Sequence, residues 1–305
     1  MRFLSRKTSN AILKILLKYS RIKDGKSVNT SVYNLFLNKI LYLVEQRQVI
    51  NLILPAFPAK SPNENKVLGK LPDLGEYKSL EVLNSLCESI KTLYPPGACV
   101  TICSDGHVFS DIVGVEDENV QDYLFRLGSM LSYYEFSNLV QFSLPDYFSD
   151  NDYTNMRSRL LEYYSKPLQT IKDLVKTNED FRSTFNGIHK FIFEDYKFLM
   201  PNFSRKQIQK SSKNGTYQLL QRSDAWSNLV NDVFPEGIRL SIHPQNPQSH
   251  KLGVKLINSK SDWATPWHNA PAYFDNKIVL MPKTEALGKG FKITHTDDNL
   301  TYLCT

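Results

Sequence analysis

Val49-Ile-Asn-Leu-Ile-Leu54 is a short apolar run closed by Pro55, and Ala98-Cys-Val-Thr-Ile-Cys-Ser104 is a second of the same kind. Bounded apolar runs of this length read as buried strands. Between them stand a proline-punctuated loop, Pro55-Ala-Phe-Pro-Ala-Lys-Ser-Pro-Asn63, and a helical pattern from about Glu76. That pattern sets Leu80, Leu83, Cys87 and Ile90 on one face, and Tyr94-Pro-Pro-Gly97 stops it. Strand, loop, helix, strand is the order of an α/β domain. Asp105-Gly106-His107 then turns at the carboxyl end of the second strand, the edge at which open α/β sheets bind ligands.

Upstream, Ile12, Ile15, Leu16 and Tyr19 share a helical face within residues 10–19. Tyr33, Phe36, Leu37, Ile40, Leu41 and Val44 follow the spacing of a second amphipathic helix. Downstream, residues 119–134 read as a helix and Leu139–Leu144 as a strand. Residues 153–234 read as mainly helical, broken near Pro167, Pro201 and Asn214-Gly215. Strands return at Gly237–His243, Lys251–Ile257 and Lys277–Met281. The expected fold is α/β, a Rossmann-like mixed sheet flanked by helices with a largely helical insertion. The chain then divides into an N-terminal helical segment (1–48), the first part of the core (49–150), the insertion (151–234) and the C-terminal core strands (235–305).

Composition narrows the function classes. Of 305 residues, 41% are apolar and 22% charged, which excludes disorder, collagen and coiled coil. The net charge of +6 is spread along the chain, and no aromatic and basic interleaving accompanies it, so no nucleic-acid partner is expected. Four cysteines form no CxxC pair, so zinc held by cysteine is not expected, and the histidines other than His107 fall into no HExxH or facial-triad spacing, which leaves a divalent metal at Ser104–Asp111 open. Lys14 interrupts the apolar residues near the amino terminus, and no stretch approaches the roughly 18 apolar residues of a membrane span. The expectation is a cytoplasmic protein with reduced thiols and no membrane partner.

Alternation along the strands sorts the candidate chemistry. Arg239, Ser241 and His243 share one face of Gly237–His243, and a cation, a hydroxyl and an imidazole together suit a wet pocket, or else the solvated face of an edge strand. Cys99, Thr101, Cys103 and Asp105 share a face of the earlier strand. Ser104-Asp-Gly-His-Val-Phe-Ser-Asp111 packs carboxylates, an imidazole and hydroxyls into one short segment, fit for acid/base work or for a polar hairpin turned at Asp-Gly. Thr265-Pro-Trp-His268 offers an aromatic surface for a ligand, or a core tryptophan. No GxGxxG, GxxxxGK[ST] or GxSxG occurs, so a phosphate would have to be held by Lys and Arg side chains.

Several of these segments resemble one known family. Leu54-Pro-Ala-Phe-Pro-Ala-Lys-Ser-Pro-Asn63, Lys66-Val-Leu-Gly-Lys-Leu-Pro-Asp-Leu-Gly-Glu76, Tyr94-Pro-Pro-Gly-Ala98 and Ser104–Asp111 are similar to motifs of the pyoverdine/dityrosine biosynthesis family. Arg239-Leu-Ser-Ile-His-Pro244 and Thr265-Pro-Trp-His268 fit it in the same order, over about residues 50–285. The resemblance implies a modified Rossmann-like core that binds no dinucleotide. It implies an isonitrile synthase that converts the α-amino group of tyrosine or tryptophan, takes its extra carbon from ribulose 5-phosphate, and needs no metal or organic cofactor. An Fe(II)/2-oxoglutarate oxygenase is the implied pathway neighbour. Fungal relatives make a formamide-type tyrosine derivative instead, which is the alternative outcome on this scaffold. A non-enzymatic phosphate- or RNA-binding module is the remaining alternative.

For such chemistry Asp105, His107, Asp111 and His243 are the candidates for proton transfer. Lys60 with its neighbour Ser61, and Arg222, Arg239 and Lys255, are candidates for holding the phosphate and carboxylate. Trp267 and His268 are candidates for the aromatic side chain. If their strands are neighbours, Asp105 and His243 meet as an acid/base pair over the carboxyl edge.

Overall fold

In the computed structural model, which describes residues 2–259, 261 and 263–305, the two opening runs become β1 (Ile50–Pro55) and β2 (Ala98–Cys103). They pair in parallel, Ile50 opposite Ala98 and Pro55 opposite Cys103. β3 (Leu139–Phe142) adds beyond β2, while β4 (Ile238–Ser241) and β5 (Leu252–Gly253) add on the other side of β1. The order β3-β2-β1-β4-β5 is parallel throughout, so the chain reverses its direction of winding between β1 and β4.

Both faces of this sheet are covered. Leu52, Leu54, Val100, Ile102, Ile238 and Leu240 belong to a core shared with α1 (Arg2–Lys18), α2 (Thr30–Glu45), α3 (Leu74–Lys91) and α5 (Asp117–Tyr133). Ile53 and Cys103, which alternate with those residues, belong to a second core. That core is completed by α4 (Gly106–Val113), α6 (Leu144–Tyr147), α7 (Tyr153–Tyr164) and α10 (Arg205–Val233). Each fully buried Leu or Ile contributes about 1.5–3 kcal/mol, which is why the alternation fixes the register. α8 (Leu168–Thr177) and α9 (Glu179–Leu199) complete the helical block between β3 and β4. Among the described residues, no helix is long and apolar enough to cross a membrane.

The expected single mixed sheet resolves into two. The central sheet is all-parallel, and the mixed pairing lies in a second sheet, β6-β8-β7-β10-β9. It is built from β6 (Asn258–Ser259), β7 (Ala270–Phe274), β8 (Lys277–Met281), β9 (Lys292–His295) and β10 (Thr301–Cys304), with α11 (Lys283–Gly288) between β8 and β9. The expected strand Lys251–Ile257 shrinks to the two residues of β5 in the first sheet. Asn214-Gly215 breaks nothing, because α10 runs through it. A Cβ on Gly215 would stand 3.0 Å from the Tyr196 hydroxyl, so the glycine serves the close packing of α9 on α10 rather than a turn.

Candidate active site

The winding reverses between β1 and β4, and the carboxyl ends of the strands at that point, where open α/β sheets bind ligands, mark the candidate crevice. Asp105 stands at the end of β2 and begins the turn into α4. The segment is not the polar hairpin its Asp-Gly allows, because Gly106 opens a helix pressed against the β1 loop. A Cβ there would lie 1.9 Å from the Pro58 carbonyl oxygen, so only glycine fits. Asp105 is half-buried, makes no side-chain capping bond to α4, and is pushed by burial up to a pKa of about 7 in spite of a bond from its own backbone N–H. A carboxyl group that exchanges its proton near neutral pH suits general acid/base work.

His243 follows β4, half-buried, with its ring 4.6 Å from that of Trp263. Thr101 of β2 and Arg239 of β4 both register with Ile53 of β1, so the strands that lead to Asp105 and His243 are not neighbours but flank β1 on either side, two strand spacings or roughly 10 Å apart.

α9 packs on α10 and reaches the β1–α3 loop and His268. Gly187, Phe191 and Asp195, spaced by four, form one stripe of it. Gly187 lies under Trp263, where a Cβ would come within 2.9 Å of the indole, and the Phe191 ring is 3.9 Å from that of His268. Asp195 is buried and accepts from Ser61 Oγ at 3.1 Å and Asn63 Nδ2 at 3.2 Å. Further along, Tyr196 donates to the carbonyl of Ile112 at 2.6 Å, joining α9 to α4. Burial drives the His268 imidazole well below its usual pKa, with nearby Lys66 adding to the effect, so it is neutral. Its Nδ1 lies 3.1 Å from Thr265 Oγ1.

Other expected site residues are committed elsewhere. Lys60, 3% exposed, gives its three N–H donors to Asp73, Glu76 and the Pro266 carbonyl at 2.8, 2.7 and 2.9 Å. None is left for a substrate anion. Ser61 is tied to Asp195, and its backbone N–H donates to Trp267 at 2.7 Å. Asp111 is exposed and forms a bidentate pair with Arg222, which also donates to the carbonyl of Val108 at 3.0 Å, so carboxylate and guanidinium satisfy each other. Arg239 faces α10 instead of a wet pocket, donating to Ser227 and Asn231. Lys255 is exposed. Trp267 is 2% exposed and packs 5.1 Å from Phe57, which makes it core rather than ligand surface.

His107 also turns away from the crevice. Its ring is buried, stacked 3.9 Å from Tyr153, with Nδ1 3.1 Å from Asp117 Oδ1. Asp117 accepts as well from Ser110 at 2.7 Å and from Arg157 at 3.0 Å, and this network ties α4, α5 and α7 together. Burial lowers the His107 pKa in spite of Asp117. His107→Ala is therefore expected to lower the melting temperature while the folded enzyme keeps kcat within several-fold. His243→Ala is expected to lower kcat by ~10²–10⁴-fold at unchanged stability. Steady-state kinetics on the two variants decides it; the reverse pattern would move proton transfer to His107.

Lys66, Asn63, Phe191 and Asp195 are the site residues that spacing alone does not mark. They converge because α9 brings Asp195 and Phe191 against the β1–α3 loop, and only Asn63 and Lys66 fall in motif segments. Among the described residues, no group of three or more His, Cys, Asp or Glu side chains is arranged to hold a metal ion.

The family model described as pyoverdine/dityrosine biosynthesis protein matches residues 40–293. An L-tryptophan isonitrile synthase of Fischerella ambigua is 43% identical over 266 residues, covering 87% of this chain and 81% of that protein. An L-tyrosine isonitrile synthase of Xenorhabdus nematophila is 40% identical over 299 residues, covering 94% and 88%. The crystal structure of the PvcA protein of Pseudomonas aeruginosa matches with a TM-score of 0.89 at 33% identity, over 98% of this chain and 99% of that one.

Proposed function

Because the chain belongs to the pyoverdine/dityrosine biosynthesis family, we propose that it is an isonitrile synthase acting on the α-amino group of tyrosine or tryptophan, with ribulose 5-phosphate as one-carbon donor. The observation that carries this reading is its 40–43% identity, over most of both chains, to enzymes named for that activity on those two amino acids. The site supports it with a proton-exchanging carboxyl group and an imidazole on either side of β1.

In this mechanism Asp105 accepts a proton from the substrate ammonium, and the free amine attacks the ketone carbon of the sugar phosphate. His243 returns a proton to the resulting carbinolamine hydroxyl, which leaves as water and gives an imine. Fragmentation of the sugar backbone then needs further proton transfers from the same two groups. Free amino acids and sugar phosphates share the cytoplasm, where we place the reaction. An Fe(II)/2-oxoglutarate oxygenase fits as the enzyme that consumes the product.

Purified protein incubated with either amino acid and ribulose 5-phosphate, labelled at C2, is expected to yield a labelled isonitrile by mass spectrometry. A product heavier by one water is the formamide and would replace this reading with formamide synthesis. No labelled product with either amino acid would remove it.

A further inference from the structure

The cations expected to receive substrate anions are paired, exposed or turned onto α10, which leaves open what holds the carboxylate of an amino acid. Lys66 stands in the loop between β1 and α3, its backbone fixed by a 2.9 Å bond to Asn63 and a 3.1 Å bond from Lys283. Its side chain is 13% exposed, with Nζ 2.7 Å from Asp195 Oδ1 and 3.3 Å from Glu194 Oε2. The ammonium is buried, and Asp195 takes one of its three N–H donors, while the exposed Glu194 carboxylate stands beyond ordinary hydrogen-bond distance. It lies 4.3 Å from the centroid of the Phe191 ring, the same ring that His268 approaches at 3.9 Å.

We propose that Lys66, held by Asp195 beside Phe191, binds the carboxylate of the α-amino acid substrate. The inference rests on the amino-acid reading above. A buried ammonium with donors beyond the one that Asp195 takes gains most from an anionic acceptor that enters its site. The charges around it choose the anion. Asp195 and Glu194 repel a phosphate dianion, whereas an α-amino acid brings its own ammonium to offset them. The neutral His268 adds no competing cation. Asp195 is then a positioning residue, fixed in turn by Ser61 and Asn63.

The test is equilibrium binding by calorimetry, without co-substrate, of L-tyrosine and L-tryptophan against tyramine and tryptamine, which lack the carboxylate. Wild-type protein is expected to prefer the amino acids, and Lys66→Met to lose about 10–100-fold of that preference. Lys66→Arg is expected to restore part of it. A fold defect would weaken amino acid and amine alike, so the ratio separates binding from structure. Should Lys66→Met not fold, Lys66→Gln is read in its place. A folded variant that keeps the wild-type preference overturns this inference alone. A wild-type protein that binds neither amino acid overturns it together with the proposed function.

Discussion

Asp105→Asn is expected to lower turnover by ~10²–10⁴-fold, the range for loss of a general acid or base, while the protein stays folded. The argument starts from solvation. Burial at the head of α4 disfavours the charged form and raises the pKa from its usual value near 4 to about 7, in spite of a bond from its own backbone N–H. A base that takes the substrate's ammonium proton must be ionised, so kcat/KM should rise through a limb near pH 7. The asparagine variant, isosteric but unable to accept a proton, should lack that limb. The stability effect has the opposite sign. Between the two pKa values the native state holds the proton more tightly than the unfolded chain, so wild-type stability falls as pH rises from about 4 to about 7. The variant carries no such penalty and should melt at or above the wild-type temperature at pH 8. Normal turnover in Asp105→Asn, with the limb retained, would show that the proton goes elsewhere.

The parts of this molecule that could be read from its sequence are those decided by burial along a strand. Ile50–Pro55 and Ala98–Cys103 lie between two helical layers, so their apolar residues run unbroken and announce themselves. The ends of such strands are then legible too, which is how Asp105 and His243 stand out. The second sheet announces itself less, because Asn258–Ser259 is too short to carry a period and Ala270–Phe274 is half exposed. Local signals misled where tertiary packing used the same residues differently. Asp105-Gly106 has the chemistry of a hairpin turn, yet the glycine is there for the Pro58 carbonyl. Lys60 tops a proline-stiffened loop and reads as an anion ligand, yet the loop folds inward onto α3. Asp195 and Phe191 carry no signal at all, since their place depends on how α9 packs against the β1–α3 loop. Motif resemblance reached the family where periodicity could not, but it did not mark which lysine of the motif segments holds the fold.

Lys60→Met should therefore act on stability before it acts on substrate. The ammonium is the only positive charge contacting Asp73 and Glu76 among the described residues, and the three side chains are almost wholly buried. Asp73 caps α3 by accepting from Gly75 at 2.8 Å, and Glu76 reaches back to the Asp73 N–H at 2.9 Å. Tyr123 donates to the second Glu76 oxygen at 3.2 Å, which ties α5 to the same point. Burial already raises the Asp73 pKa well above the usual value in spite of Lys60, and with the lysine gone two carboxylates would share one dry site. Removing one partner of a buried ion pair costs about 3–5 kcal/mol, or roughly 5–8 °C in melting temperature for a chain of 305 residues. The missing charge can be balanced from the other side. Lys60→Met combined with Glu76→Gln should recover part of the loss, and the single variant should be less destabilised at pH 5 than at pH 8, because protonating a carboxylate does the same work. Thermal melts of the single and double variants at both pH values decide it. A Lys60→Met protein with wild-type stability and weakened substrate binding would return this lysine to the active site.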